Sequence, residues 1–191
     1  MDAVICLLRA VNVGGHNSIK MDVLRDICGA LGCQSPLTLL QSGNVVFKTP
    51  KRDLSRVATQ IEDEIERRLE FRPDVILRTS SELRDVIRRN PFAKRRGLNP
   101  SKLVVTFLRD DPGTKMRNAI LSLKPDSEEV RMDGKELYIY FPDGAGRSKL
   151  TPLLARTLKN SGTARNWNTV TKLLQLAEEL EAGAITRRSS D

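Results

Sequence analysis

Two polar, glycine-bearing segments each follow an apolar run: Arg9-Ala10-Val11-Asn12-Val13-Gly14-Gly15-His16-Asn17 and Gln41-Ser42-Gly43-Asn44. Their side chains are amides, one hydroxyl and one guanidinium, and successive backbone N–H donors around Gly14-Gly15 can form an anion nest. The chemistry that suits such a set is recognition of a phosphate or carboxylate, with Arg9, Asn12, Gly14, Gly15, Asn17, Gln41, Ser42 and Asn44 as the binding residues and Lys20 as further charge. Proton transfer is less well provided for. His16 is the only imidazole, and the neighbouring acids Asp2 and Asp22 stand at no spacing that would orient it. Ser42 lacks the Gly-x-Ser-x-Gly spacing of a nucleophile elbow. No catalytic residue is assigned; a small-molecule enzyme that orients its substrate at this same site with Arg9, Asn12 and Gln41 is a second reading, and a structural or assembly protein a third. Asparagine and glycine are also the residues that tight turns require, so a ligand-free role for both segments is the competing expectation.

Two more segments carry candidate groups. Gly144-Ala145-Gly146-Arg147-Ser148-Lys149 precedes a helical pattern, and a glycine-rich loop entering a helix can hold phosphate through its amides, which makes Lys149 a ligand-binding candidate. Its spacing fits neither the phosphate loop of nucleotide hydrolases nor the dinucleotide fingerprint, and Ser148 as a simple helix cap is the alternative. In Thr163-Ala164-Arg165-Asn166-Trp167-Asn168-Thr169, Arg165 offers a guanidinium suited to two-pronged phosphate binding, and Asn166 or Asn168 caps the last helix. Three cysteines and one histidine supply no ligand pattern for a structural zinc. No metal, no cofactor and no stabilising disulfide is expected.

Charge narrows the partners. The net charge of +8 is uneven: Arg88, Arg89, Lys94, Arg95, Arg96 and Lys102 form one run without acids, and Arg147, Lys149, Arg156, Lys159, Arg165 and Lys172 another. Such segregation favours an anionic small molecule or the phosphates of a nucleic acid, with a merely solvated face as the bland alternative. With aromatics at only 4% there is little to stack bases in single-strand readout. No apolar run approaches a membrane span and the amino end lacks a signal-peptide pattern, so a cytoplasmic protein with no membrane partner is expected.

The elements that must position these groups follow from periodicity. Residues 3–9 read as a buried strand, 21–31 as a helix, 36–41 and 44–48 as a hairpin closed by Ser42-Gly43, the stretch after Lys51 to Leu69 as a long amphipathic helix, and 74–78 as a strand. The order then nearly repeats: strand 102–108, helix 115–123, hairpin 130–132 and 136–141, helix 150–158, short strand 163–165 and helix 169–180. A helix at 80–90, capped by Ser81, and a basic loop separate the halves. The predicted organisation is therefore 1–79, a linker 80–101, 102–182, and a mobile tail 183–191.

Strand-helix-strand twice over is the split pair of crossovers of a ferredoxin-like plait. The two leading strands are apolar on consecutive residues, which requires cover on both faces of each sheet. The fold class expected is α+β: two ferredoxin-like (α/β plait) halves packed into one two-lobed body. In that topology the end of the first strand, the start of the first helix and the first hairpin share one rim, so the two opening segments should converge.

Leu8-Arg9-Ala10-Val11-Asn12-Val13-Gly14-Gly15, Gln41-Ser42-Gly43-Asn44-Val45-Val46-Phe47, Asn90-Pro91-Phe92, Ser148-Lys149-Leu150 and Thr163 to Val170 resemble the bacterial family known as domain of unknown function 1697. Ala10 stands where the family pattern more usually has glycine. The resemblance implies two plait-like halves and brings no activity with it.

Overall fold

The computed structural model describes residues 1–123, 126–159 and 161–184. The tail expected to be mobile lies outside the described residues from position 185 onward. By contacts the chain divides into two compact units, Met1–Arg84 together with the chain from Lys172, and Asp85–Thr171.

The first unit is built on β1 (Ala3–Leu8), α1 (Met21–Ala30), β2 (Gln34–Thr38), β3 (Asn44–Lys48), α2 (Leu54–Leu69) and β4 (Val75–Thr79). Its strands lie in the order β2-β3-β1-β4, and each neighbouring pair is antiparallel. This is the plait order. All six residues of β1 are buried, as its unbroken apolar run requires. Val4, Cys6 and Leu8 join Leu24, Ile27 and Cys28 of α1 and Val57, Ile61 and Ile65 of α2 in one core. The helix pattern predicts that face of α2 well, because Val57, Ile61 and Ile65 recur at three- and four-residue steps. Asp53 caps α2 by accepting from Arg56 N at 3.1 Å.

Glu62 departs from the expected charged outer face. It is buried, accepts from Val75 N at 2.8 Å and from Arg72 Nη2 at 3.2 Å, and so anchors the start of β4 to α2. A buried carboxylate that satisfies a strand's first amide replaces a hydrogen bond that the sheet cannot supply at that point.

The hairpin also differs from expectation. Instead of a two-residue turn at Ser42-Gly43, β2 ends at Thr38 and the loop runs from Leu39 to Gly43. At the other end of β2, Pro36 has no N–H and the β2–β3 register shifts between Gln34 and Leu37, so only Leu37 and Thr38 pair regularly, with Val46 and Val45.

Helix α3 (Ser80–Arg88) follows β4 directly. Its cap is Thr79 and not Ser81: Thr79 Oγ1 accepts from Glu82 N at 3.1 Å while Glu82 Oε2 accepts from Thr79 N at 2.8 Å. That reciprocal pair is a capping box.

The second unit repeats the plan with β5 (Leu103–Leu108), α4 (Gly113–Leu121), β6 (Glu129–Asp133), β7 (Glu136–Tyr140), α5 (Leu150–Thr157) and β8 (Gly162–Asn166), in the order β6-β7-β5-β8. Leu108, Ile120, Leu137, Ile139, Leu150 and Leu154 form its core. The buried Tyr138 hydroxyl donates to Val86 O at 2.8 Å. Helix α6 (Trp167–Glu181) begins in the second unit and ends in the first, where Glu181 Oε1 accepts from Ala3 N at 2.7 Å and from Ser80 Oγ at 2.5 Å. No described helix is long and apolar enough to cross a membrane.

Candidate functional site

The rim of the first unit is assembled by the ends of β1 and β2 and the start of β4. Antiparallel pairing of β1 with β4 sets Leu8 opposite Val75, so the residues just beyond, Arg9 and Asp74, must meet. Arg9 N donates to Asp74 O at 2.9 Å and Arg9 Nη1 to Asp74 Oδ2 at 2.5 Å. Arg9 retains 29% side-chain exposure beside a half-exposed Asp74. A surface pair of this kind contributes at most about 1 kcal/mol, so it orients the guanidinium without locking it away.

Beyond Arg9 the chain makes a compact loop. Ala10, Asn12 and Asn17 all have positive φ, at 53°, 56° and 51°. Such angles cost a side-chain-bearing residue about 1–2 kcal/mol, a strain that glycine at position 10 would avoid. Val13 to His16 form a tight turn in which His16 N donates to Val13 O at 3.2 Å, with Gly14 and Gly15 at φ of 61° and 78°. Two consecutive positive angles define a type I′ turn, for which Gly-Gly is well suited. The Gly14 and Gly15 amides have no hydrogen-bond partner among the described residues and their Cα atoms face open space.

Asn12 joins the two predicted segments. Its Nδ2 donates to Ile19 O at 2.9 Å and to Gln41 O at 2.7 Å, and its Oδ1 accepts from Ile19 N at 2.9 Å. The loops are held a second time where Leu8 N donates to Gly43 O at 2.8 Å. Gly43 is at φ 69°, and a Cβ there would lie 2.5 Å from Val11 Cγ2 and 2.8 Å from Leu8 Cβ. Only glycine permits that approach.

The polar groups therefore sort into two sets. Asn12 is committed to bracing; Asn17 Nδ2 donates to Ala10 O at 3.3 Å; the buried Asn44 donates to Leu39 O at 2.9 Å and to Ser42 Oγ at 2.8 Å. These three amides, and Ser42 with them, shape the loops. Facing solvent are the Gly14 and Gly15 amides and the side chains of His16, Lys20 and Gln41, with the half-exposed Arg9 alongside. No described carboxylate forms an ion pair with His16. General acid–base catalysis through that imidazole has no orienting partner.

The remaining predicted residues belong to the second unit, and their surroundings suit an anion less well. Lys149 is 88% exposed and stands 3.8 Å from Asp126. Ser148 Oγ is hydrogen-bonded to Glu128, whose carboxyl is held below its usual range first by that hydroxyl and is therefore ionised at neutral pH. A cavity of about 140 Å³ at this loop is lined by Asp126, Glu128 and Asp143 as well as by Arg147 and Lys149. Three carboxylates oppose a phosphate there. Ser148 also accepts from Leu150 N at 3.0 Å, the capping alternative. Arg165 is buried in β8, donating from Nη1 to Thr163 Oγ1 at 2.7 Å and Ala164 O at 2.9 Å, so its role is internal. Asn166 caps α6 by accepting from Asn168 N at 3.0 Å and ties β8 to the start of β5 by donating to Ser101 O at 2.7 Å.

Three residues of the basic run are paired within their unit. Arg88 pairs with Asp85, Arg89 with Asp133 at 3.2 Å and Arg95 with Glu129, and Arg95 also lies 4.6 Å above the Tyr140 ring. Acids distant in sequence thus pair with Arg89 and Arg95, and the nearby Asp85 with Arg88, within what looks like an open positive stretch.

Sequence reasoning missed Asp74, which sets Arg9, and Glu62, which anchors the strand that Asp74 leads into. The strand order makes the first legible, since β4 must start where β1 ends. It also passed over Lys51, Arg52 and Arg56, which line a cavity of about 310 Å³ at the start of α2, where the Asp53 carboxylate already serves the helix amides.

A family described as a protein of unknown function, DUF1697, matches residues 1–138. The chain is also similar to a solved structure, that of the conserved bacterial protein SP0830 from Streptococcus pneumoniae, with 19% identity and a TM-score of 0.70 over 92% of this chain and 98% of that one. At that identity the likeness concerns the fold. No curated protein matches the sequence.

Proposed function

Because the chain belongs to the DUF1697 family of proteins of unknown function, its activity must be argued from its own residues, and we propose that the first unit binds a small anionic ligand, phosphate-bearing or carboxylate, at the Gly14–Gly15 turn. The observation that carries this reading is the joining of two loops by Asn12, which fixes a turn whose two glycine amides point to solvent with no internal partner. Backbone strain at Ala10, Asn12 and Asn17 is maintained by that bracing, and strained backbone concentrates at binding sites. Arg9, Lys20 and Gln41 supply charge and a further donor around the turn. Catalysis is not part of the proposal, since His16, the imidazole at the turn, has no described carboxylate paired with it.

The test is a thermal-shift and amide-NMR titration with nucleotides, sugar phosphates and small dicarboxylic acids. A ligand at about 100 times its Kd stabilises by about 2.7 kcal/mol. For a chain of this size that raises Tm by about 5–11 °C. The Gly14, Gly15 and His16 amide signals should shift in a saturable way, Arg9→Ala should weaken binding about tenfold, and Asp74→Asn, which releases the guanidinium, should strengthen it. A ligand indifferent to Arg9→Ala would place binding elsewhere, with Lys51 and Arg56 the next candidates. No saturable response from any compound would leave the second reading, in which Asn12 and Asn44 do no more than fix the loops.

The polyanion version of the proposal is weaker, because Arg88, Arg89, Arg95 and Lys149 already have acidic neighbours. Nucleic acid should therefore bind only at low salt and with a shallow dependence of log Kd on log salt.

A further inference from the structure

Helix α1 ends in a Schellman motif. Gly32, at φ 82°, donates to Gly29 O at 3.0 Å, and Cys33 N donates to Cys28 O at 3.0 Å. In this ending the residue two places past the cap is pressed against the one three places inside it. Here both are cysteine, and both are reduced.

The pair is asymmetric. Cys28 is fully buried in the core of the first unit, whereas Cys33 keeps 6% exposure. The neighbouring Cys28 thiol, followed in effect by the positive charge nearby, favours a Cys33 thiol below its ordinary range, while the Cys33 sulfur, followed by burial, pushes Cys28 up. Lys51, whose ammonium donates to Leu31 O at 2.9 Å, adds a positive charge that also favours the Cys33 thiolate. The third thiol, Cys6 on β1, is fully buried in the same core and stands outside the helix-end motif. The arrangement thus presents a more acidic sulfur at the edge of the core, the less buried of the two, backed by a fully buried thiol, the order needed for a nucleophile and its resolving partner.

We propose that Cys33 is a peroxide-reactive thiol and that Cys28 resolves it, closing a disulfide across the end of α1. The Cys33 thiolate attacks one oxygen of hydrogen peroxide; the S–O bond forms as the O–O bond breaks, and the departing hydroxide takes a proton to become water. The sulfur of Cys33 is thereby oxidised by two electrons to a sulfenic acid and the peroxide is reduced. Cys28 sulfur then attacks the Cys33 sulfur, the S–S bond forms, the S–O bond breaks, and the hydroxyl leaves as water with the Cys28 proton. Two thiols and one peroxide become one disulfide and two waters. A disulfide that forms and reopens in this way is compatible with a reducing compartment, where lasting structural bridges are rare.

The experiment exposes the full chain to stoichiometric hydrogen peroxide, blocks the remaining thiols by alkylation, and maps the products by mass spectrometry. The expected result is a bridged Cys28–Cys33 peptide, Cys6 still free, and full reversal by dithiothreitol. Cys28→Ser should form no bridge and should accumulate a dimedone-trappable sulfenic acid on Cys33. Cys33→Ser should slow thiol loss at least tenfold. Circular dichroism checks the fold of each variant, and a graded peroxide series on the unsubstituted chain decides the matter if either variant unfolds: Cys33 must be modified before Cys28. Bridging through Cys6, first oxidation at Cys28, or three unreacted thiols would overturn the proposal.

Discussion

Gly43→Ala is the substitution for which the rim geometry makes the sharpest demand. An alanine at φ 69° costs about 1–2 kcal/mol in backbone strain alone. Its methyl would also meet Val11 Cγ2 at 2.5 Å and Leu8 Cβ at 2.8 Å, distances that require two packed core residues to move. Overpacking of that kind adds about 1–3 kcal/mol. The sum, about 2–5 kcal/mol, is a large part of the about 5–15 kcal/mol that stabilises an ordinary domain. For a chain of this length it lowers Tm by about 4–20 °C. Gly14→Ala is the control, because Gly14 has nearly the same φ, 61°, but nothing within 4 Å of the added methyl. It should lose only the strain, about 1–2 kcal/mol. Urea and thermal unfolding followed by circular dichroism measure both, with m-values compared to confirm that the unfolding reactions are alike. Val11→Ala in the Gly43→Ala background should recover part of the loss, since it removes the nearest offending methyl. If Gly43→Ala costs within about 0.5 kcal/mol of Gly14→Ala, an ordinary surface-scale difference, the close approach of the two loops is wrong and with it the convergence of the rim.

Two further perturbations test separate features. Ala10→Gly relieves an alanine at φ 53° at the expense of about 0.5–1 kcal/mol of added chain entropy, and should stabilise by about 0.5–1 kcal/mol; a lower Tm would show that the alanine methyl has a packing role outweighing the strain. Glu64 accepts from Arg67 and Arg68, and those hydrogen bonds push its carboxyl down to about 2. A lowered folded pKa means that its contribution is complete above about 4.5, the ordinary value, and is lost as pH falls toward 2. Carboxyl-carbon NMR should give a midpoint near 2 that rises in Arg67→Ala and Arg68→Ala, and a midpoint near 4.5 in the unsubstituted chain would refute the pairing.

Much of the architecture was legible because it rests on periodicity. The unbroken run Ala3–Leu8 demands burial on both faces, and the three- and four-residue steps of Val57, Ile61 and Ile65 demand a helix against a sheet. Strand order then brings Arg9 and Gln41 to one rim without further information. What could not be read was the difference between a polar group that faces a ligand and one that braces a loop. Asn12 and Gln41 look alike as amides, yet Asn12 is engaged through three hydrogen bonds, whereas Gln41 contributes its carbonyl to the brace and leaves its side chain exposed. The basic run misled for a related reason: the partners of Arg89 and Arg95 are Asp133 and Glu129, more than thirty residues away, and a charge count along the chain does not see them. Glu62 was hidden by its acidic neighbours Asp63 and Glu66, which do face outward. The cap at Thr79 escaped because the final strand residue doubles as the first helix residue's anchor, leaving no loop to mark the boundary.

Glu181 gives the order of synthesis a bearing on when the amino-terminal half matures. The amide of Ala3 and the hydroxyl of Ser80 both wait on a carboxylate that is made 97 residues after Arg84 (181 − 84). At about 5–20 residues per second, the ribosome needs about 5–20 s to span that interval. Through that time the amide of Ala3 and the hydroxyl of Ser80 go without this acceptor, and the far end of α6 is what supplies it to both.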